Sequence, residues 1–122
     1  MTKRILVVED QVDNRQILRD LLASADYEMT EAENGEEALA AVAKQPPDLI
    51  LMDIQLPIMD GYEATRRIKA NPAWKDIPII VVTSYALSGD EAKARDAGCD
   101  AYVTKPYSPR ALLAKIREYI PK

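Results

Sequence analysis

Three short runs in this chain, Arg4–Val8, Asp48–Asp53 and Ile77–Thr83, are apolar at nearly every position and carry neither a helical nor an alternating period. Successive side chains of a strand point to opposite faces, so a strand can be continuously apolar only where both faces are covered. Between and after these runs, apolar residues recur at helical spacing. Strands covered on both sides and alternating with helices call for a parallel sheet, wound by right-handed crossovers with helices on both faces.

The remaining elements follow from local signals. Val12, Ile17, Leu18, Leu21, Leu22 and Ala25 predict a first helix from about Asn14 to Ala25, with Asp13 as N-cap and Gln16 as its capping-box partner. Tyr27 to Ala32 alternates weakly, as an edge strand does, and Asn34-Gly35 opens a helix through Ala38, Leu39 and Val42 that stops before Pro46-Pro47. Asp60 with Glu63 caps a third helix carrying Tyr62, Ala64 and Ile68, which Asn71-Pro72 ends. Ser88 with Glu91 starts a short polar helix that Gly98 terminates. Ala101–Thr104 is a short strand, and Ser108-Pro109 leads into a last helix through Leu112, Leu113, Ile116, Tyr119 and Ile120. The expected fold is α/β, five parallel strands doubly wound with five helices in a single domain spanning residues 1–122.

Composition removes whole classes of function. The 122 residues hold 16 Lys and Arg against 20 Asp and Glu, a formal charge of -4, which is the wrong sign for gathering phosphate backbones over a broad surface, so no nucleic acid is expected. No apolar run approaches the roughly 20 residues of a membrane span, and a cytoplasmic protein is expected. One cysteine, Cys99, cannot form an internal disulfide. The chain has no histidine, which excludes Ser-His-Asp and Cys-His nucleophiles and His-ligated zinc. Chemistry here runs on carboxylates, hydroxyls, lysines and the backbone.

In a doubly wound sheet, ligands bind beyond the carboxyl ends of the strands. The first run ends in Glu9-Asp10, the second in Asp53, the third in Thr83-Ser84, and the last strand leads to Lys105-Pro106. If strands one, three and four are neighbours, three carboxylates, a hydroxyl and an ammonium converge on one edge. Crowded acids repel, so one is protonated or a cation sits among them; oxygen-only donors with room for water suit Mg2+, or Mn2+. A carboxylate beside such a cation can attack phosphorus and form an acyl phosphate, while the metal and a lysine neutralise the phosphoryl oxygens. Asp53, at the end of the most apolar strand, is the expected nucleophile. Lys105 supplies charge, Thr83 a hydroxyl, and the loop Ile54-Gln55-Leu56-Pro57 a carbonyl for the metal.

Val8-Glu9-Asp10, Leu51-Met52-Asp53-Ile54-Gln55-Leu56-Pro57 with Met59-Asp60-Gly61, Val82-Thr83-Ser84 and Ala101-Tyr102-Val103-Thr104-Lys105-Pro106 resemble the signatures of the response-regulator receiver domain along the whole chain. The resemblance implies the CheY-like strand order 2-1-3-4-5. It further implies that Asp53 is the phosphoacceptor, that Asp10 and Asp53 ligate Mg2+ directly, that Glu9 does so through water, and that Gln55 contributes its backbone carbonyl. Thr83 and Tyr102 take the switch positions, and Lys105, across a cis bond to Pro106, contacts the phosphoryl group. Gln55 and Tyr85 occupy positions that tune hydrolysis of the acyl phosphate. Gln11 stands where asparagine is frequent.

The implied function is that of a two-component response regulator. It takes a phosphoryl group from a sensor histidine kinase or a histidine phosphotransfer protein, which must bring the histidine this chain lacks. It then binds a downstream protein partner or relays the group, as a monomer or a phosphorylation-dependent dimer. Helix one with helix five is the expected docking face, and helix four, strand five and helix five the output face. The chain is expected to have no output domain and to be no enzyme beyond its own phosphorylation and dephosphorylation. An Asp-nucleophile Mg-dependent phosphatase is the alternative, although such enzymes want an acid where Gln55 stands. A flavodoxin-like cofactor binder would need glycines or hydroxyls after the first strand, where this chain has acids.

Overall fold

The computed structural model describes residues 2–84 and 90–121. Its elements are β1 (Arg4–Val8), α1 (Val12–Ser24), β2 (Glu28–Ala32), α2 (Gly35–Lys44), β3 (Leu49–Met52), α3 (Gly61–Ala70), β4 (Ile79–Thr83), α4 (Asp90–Ala97), β5 (Ala101–Thr104) and α5 (Pro109–Tyr119). The sheet runs β2-β1-β3-β4-β5 with every pairing parallel. This is the order that the resemblance implied. No helix among the described residues is long and apolar enough to cross a membrane.

The continuously apolar strands divide their residues between two cores. Ile5, Val7, Leu49, Leu51, Ile80 and Val82 face Leu18 and Leu22 of α1 and Leu112 and Ile116 of α5. Their neighbours Leu6, Val8, Ile50, Met52, Ile79 and Val81 pack on Ala38, Val42, Ala64, Ile68 and Ala94 of α2, α3 and α4. Each fully buried Ile or Leu contributes about 1.5–3 kcal/mol, so both faces of the three central strands hold the fold.

Most of the predicted caps form. Asn34 accepts from the Glu37 amide at 2.8 Å, Asp60 from Glu63 at 2.9 Å and Ser108 from Ala111 at 3.3 Å, with Pro109 in the first turn of α5. After α4, Gly98 takes φ +106°, a conformation a side chain would strain. The Ser88 cap lies outside the described residues.

Asp13 is not the cap of α1. The helix starts at Val12, the N-cap position is Gln11 without a side-chain bond, and Gln16 donates to Asp20. The Glu9 carboxylate accepts the Gln11 amide at 3.0 Å, which fixes the chain one residue before the helix and leaves Asp13 in the first turn, where its charge complements the positive end of the helix dipole. α1 ends at Ser24, one residue short of the predicted Ala25. Tyr27 lies just before β2, yet it is buried and its hydroxyl donates to the Ile120 carbonyl at 3.3 Å. β4 begins at Ile79, because Pro78 has no N–H to give the ladder; its carbonyl still accepts from Ile50 at 2.9 Å.

At the amino ends of the strands, away from the strand-end acids, Lys69 reaches inward from α3. Its ammonium donates to Asp100 Oδ2 at 2.9 Å and to the carbonyls of Ile77 at 2.7 Å and Lys75 at 3.0 Å. Asp100 Oδ2 also accepts the Ile79 amide at 2.8 Å, and the Asp100 carbonyl accepts the Tyr119 hydroxyl at 2.9 Å. One polar knot thus ties α3, β4, β5 and α5 together.

Candidate functional site

Because β1 and β3 are neighbours, the residues that follow them continue the ladder. The Asp53 amide donates to the Val8 carbonyl at 3.0 Å and the Glu9 amide to Ala32 at 3.0 Å. Glu9 is 2% exposed, and Asp10 and Asp53 are half-buried. One carboxylate oxygen from each of the three acids lies within 4.8 Å of the others.

Lys105 reaches this cluster from the loop after β5. The Lys105-Pro106 bond is cis, as the resemblance implied, and the Lys105 amide donates to the Thr83 carbonyl at 2.7 Å. Its ammonium lies 2.8 Å from Glu9 Oε1 and 3.4 Å from Asp53 Oδ2. Glu9 also accepts from the Gln11 amide at 3.0 Å and from Asn14 Nδ2 at 3.4 Å, whereas Asp53 has the Ile54 amide at 2.7 Å.

The unequal sharing of donors sets the acids apart. Burial raises Asp53, the charge of Glu9 raises it further, and the more distant Lys105 and the Ile54 amide pull back too little, leaving its pKa at about 6. Burial also pushes Glu9 upward, but the Lys105 hydrogen bond, the Gln11 amide and the ammonium's charge outweigh it and hold Glu9 below the usual carboxylate range. For Lys105, burial opposes the charge, and the two carboxylates overcome it and raise the pKa. Asp53 is therefore the more basic carboxylate of the pair, which favours it as the nucleophile and as an oxygen in search of a cation.

The backbone behind Asp53 is closely fitted. The Gly61 amide donates to the Ile54 carbonyl at 2.9 Å, and a Cβ on Gly61 would stand 2.0 Å from the Asp53 carbonyl oxygen. Only a residue without a side chain lets the start of α3 approach the strand end so closely.

Of the other predicted residues, Thr83 is buried at the end of β4, in register with Thr104 of β5. Tyr102, in register with Val81, is half-buried against the core under α2, α3 and α4. Gln55 is exposed in the loop after β3. Tyr85 lies outside the described residues. Two residues that the sequence reading did not single out reach the cluster from α1: Asn14, through the Glu9 carboxylate, and Arg15, whose Nη1 donates to the Glu9 carbonyl at 2.8 Å. Their signal was their place five and six residues after Glu9, readable only once the helix is known to start at Val12.

The three acids offer oxygen donors alone, close enough to share one ion, and Asp53 is raised first by burial and then by the charge of Glu9, both of which a bound cation would offset. Such a donor set could hold a hard divalent cation.

The sequence model of the response regulator receiver domain matches residues 5–117. Over 120 residues the chain is 42% identical to the polar-differentiation response regulator DivK of Brucella ovis, covering 98% of each protein. Among solved structures, the receiver domain of a sensor histidine kinase from Pseudomonas aeruginosa, with a magnesium ion coordinated in its active site cleft, superimposes with a TM-score of 0.92 at 35% identity over 100% of both chains. The signal receiver domain of a signal transduction histidine kinase from Syntrophus aciditrophicus superimposes with a TM-score of 0.93 at 30% identity, covering 98% of this chain and 90% of that one. The strand order, the acid cluster at its carboxyl edge and these likenesses lead to one conclusion: the chain belongs to the response regulator receiver domain family of two-component systems.

Proposed function

We propose that Asp53 accepts a phosphoryl group from a phosphohistidine carried by a sensor histidine kinase or a histidine phosphotransfer protein. The observation that carries this reading is the pairing within the site: Lys105 bonds Glu9 at 2.8 Å and stands 3.4 Å from Asp53, leaving Asp53 the basic carboxylate. An Asp53 oxygen attacks phosphorus in line with the N–P bond; the new O–P bond forms as the N–P bond breaks, and its electron pair stays on the imidazole nitrogen, so that a phosphohistidine protonated on its other ring nitrogen leaves as neutral imidazole. Mg2+, or Mn2+ in its place, neutralises charge on the phosphoryl oxygens when bound. Asp10, Asp53 and the Gln55 carbonyl would hold it, with Glu9 acting through water. Lys105 then leaves its shared position for a phosphoryl oxygen, Thr83 gives its hydroxyl to another, and Tyr102 follows inward. Gln55 and Tyr85 tune the lifetime of the acyl phosphate.

The protein works in this reading as a cytoplasmic switch or relay for a downstream protein partner, and not as an enzyme with free substrates. The phosphatase reading finds no support. The position two residues after Asp53 holds the exposed amide Gln55, and the matched relatives are response regulators and receivers. Intact-mass spectrometry after incubation with acetyl phosphate and Mg2+ tests the proposal. One added phosphoryl group is expected on the wild type and none on Asp53→Asn; equal labelling of the variant defeats the assignment.

A further inference from the structure

Arg15 is the fourth residue of α1, yet its side chain is only 13% exposed, because it turns back under the acid cluster. Its guanidinium spends its donors on three segments at once. Nη1 donates to the Glu9 carbonyl at 2.8 Å, Nε to Glu31 Oε1 of β2 at 3.1 Å, and Nη2 lies 3.5 Å from Glu33 Oε1, just beyond β2. Glu31 also pairs with Arg19, one turn further along α1.

The carbonyl that Arg15 holds belongs to the peptide joining Glu9 to Asp10. That unit is planar, so fixing its oxygen fixes the direction in which the chain leaves Glu9 and enters Asp10, and with it the starting point of both side chains. A planar fork held by two carboxylates cannot rotate freely to follow the loop, which a single ammonium could do. The Glu9 side chain is separately held by Lys105, the Gln11 amide and Asn14. Asp10 has no comparable hold among the hydrogen bonds described, so the peptide plane is what aims it.

We propose that Arg15 is a positioning residue of the acid site: it sets the peptide plane between Glu9 and Asp10, while Glu31 and Glu33 set Arg15, so the edge strand contributes to cation affinity. This rests on the reading of the site given above. Groups that orient metal ligands without touching the metal commonly change affinity by 10–100-fold when removed.

The test is a calorimetric titration with Mg2+ alone of the full chain as wild type, Arg15→Ala, Arg15→Lys and Arg19→Ala, with melting temperatures measured beside it. Arg15→Ala is expected to bind Mg2+ about tenfold more weakly. Arg15→Lys, which keeps the charge for Glu31 but loses the fork, recovers melting temperature more fully than affinity. Arg19→Ala, which removes a partner of Glu31 but leaves the Arg15–Glu31 pair and the Glu9 carbonyl untouched, keeps wild-type affinity. In phosphorylation by acetyl phosphate, the Mg2+ concentration for half-maximal rate moves by the same factor as the affinity. A folded Arg15→Ala with wild-type affinity overturns the inference, as does an equal loss in Arg19→Ala. If Arg15→Ala does not fold, the Arg15→Lys titration decides, and unchanged affinity there overturns it. A wild type that binds Mg2+ and is phosphorylated while the Arg15 variants match it refutes this inference alone. A wild type that does neither refutes the underlying reading and this one with it.

Discussion

Replacing Asp53 with asparagine should make the metal-free protein more stable, by an amount that depends on pH in a calculable way. The Asp53 pKa is 3.8 in the absence of the fold and about 6 within it. A carboxyl raised by folding favours the folded state in its protonated form, so its unfavourable contribution is absent below about pH 4, grows as pH rises toward 6, and is constant above that. The displacement from 3.8 to about 6 corresponds to about 3 kcal/mol at about 1.4 kcal/mol for each tenfold change in proton affinity. The substituted amide keeps the shape of the carboxylate and can still accept from Ile54, but it has no charge to desolvate and none to oppose Glu9. With a melting entropy of about 2 cal/mol/K per residue, 3 kcal/mol is a rise in melting temperature of about 12 °C for a chain of this length. The assay is thermal and urea unfolding of wild type and Asp53→Asn in chelator, in parallel from pH 4 to pH 8. Acid effects of groups outside the cluster cancel in the difference. The two proteins should nearly coincide at pH 4, separate between about pH 4 and pH 6, and keep a constant difference above that; a difference that is flat across the range, or a variant less stable at pH 8, would refute the electrostatic account of the cluster.

The same cluster should respond to a cation. At ten times its dissociation constant, Mg2+ should stabilise the wild type by RT ln 11, about 1.4 kcal/mol, seen as a higher melting temperature that sodium at equal ionic strength does not reproduce. Asp10→Asn should melt above wild type without Mg2+ and gain less when it is added; an undiminished gain would remove Asp10 from the site. Lys105→Ala leaves the buried Glu9 without its ammonium, and urea unfolding should show a loss of about 3 kcal/mol at pH 7. That loss should shrink toward pH 4, because burial then raises Glu9 and protonation relieves it. Gly61→Ala drives a Cβ to 2.0 Å from the Asp53 carbonyl, so the backbone must shift. A loss of about 2 kcal/mol or more is expected by urea unfolding, together with slower labelling by acetyl phosphate.

The carboxyl edge of the sheet was readable in the sequence because a strand apolar on both faces announces its own end. Val8 gives way to Glu9, Met52 to Asp53 and Val82 to Thr83 with no ambiguous residue between, and the parallel arrangement that such strands require puts those ends together. The start of α1 was misread for a reason of the same kind as the site itself. Asp13 with Gln16 has the pattern of a cap, but a cap signal competes locally, and the buried carboxylate of Glu9 took the Gln11 amide and moved the helix start to Val12. Once the start moves, Asn14 and Arg15 face the acids, which no spacing rule conveyed. The division of the acids into a low Glu9 and a raised Asp53 was equally hidden, since it depends on Lys105 standing 2.8 Å from one and 3.4 Å from the other. The bond between Lys69 and Asp100 joins residues 31 apart in sequence, and neither residue carries a mark of its partner.

That knot gives the sheet a fulcrum. Lys69, Asp100, the Ile79 amide and the Tyr119 hydroxyl fasten the feet of β4 and β5 to the helices on either side, while the heads of the same strands carry Thr83 and the approach to Lys105. From Ile79 to Thr83 the strand rises about 13 Å. A tilt of about 5° about the fastened end would carry the head about 1 Å sideways, comparable to the 0.6 Å by which Lys105 stands closer to Glu9 than to Asp53. A small tilt about the fastened foot of β4 would therefore shift its head by an amount on the scale that separates the two Lys105 contacts, so an element packed against the heads of β4 and β5 would meet a displacement measured from a fixed foot.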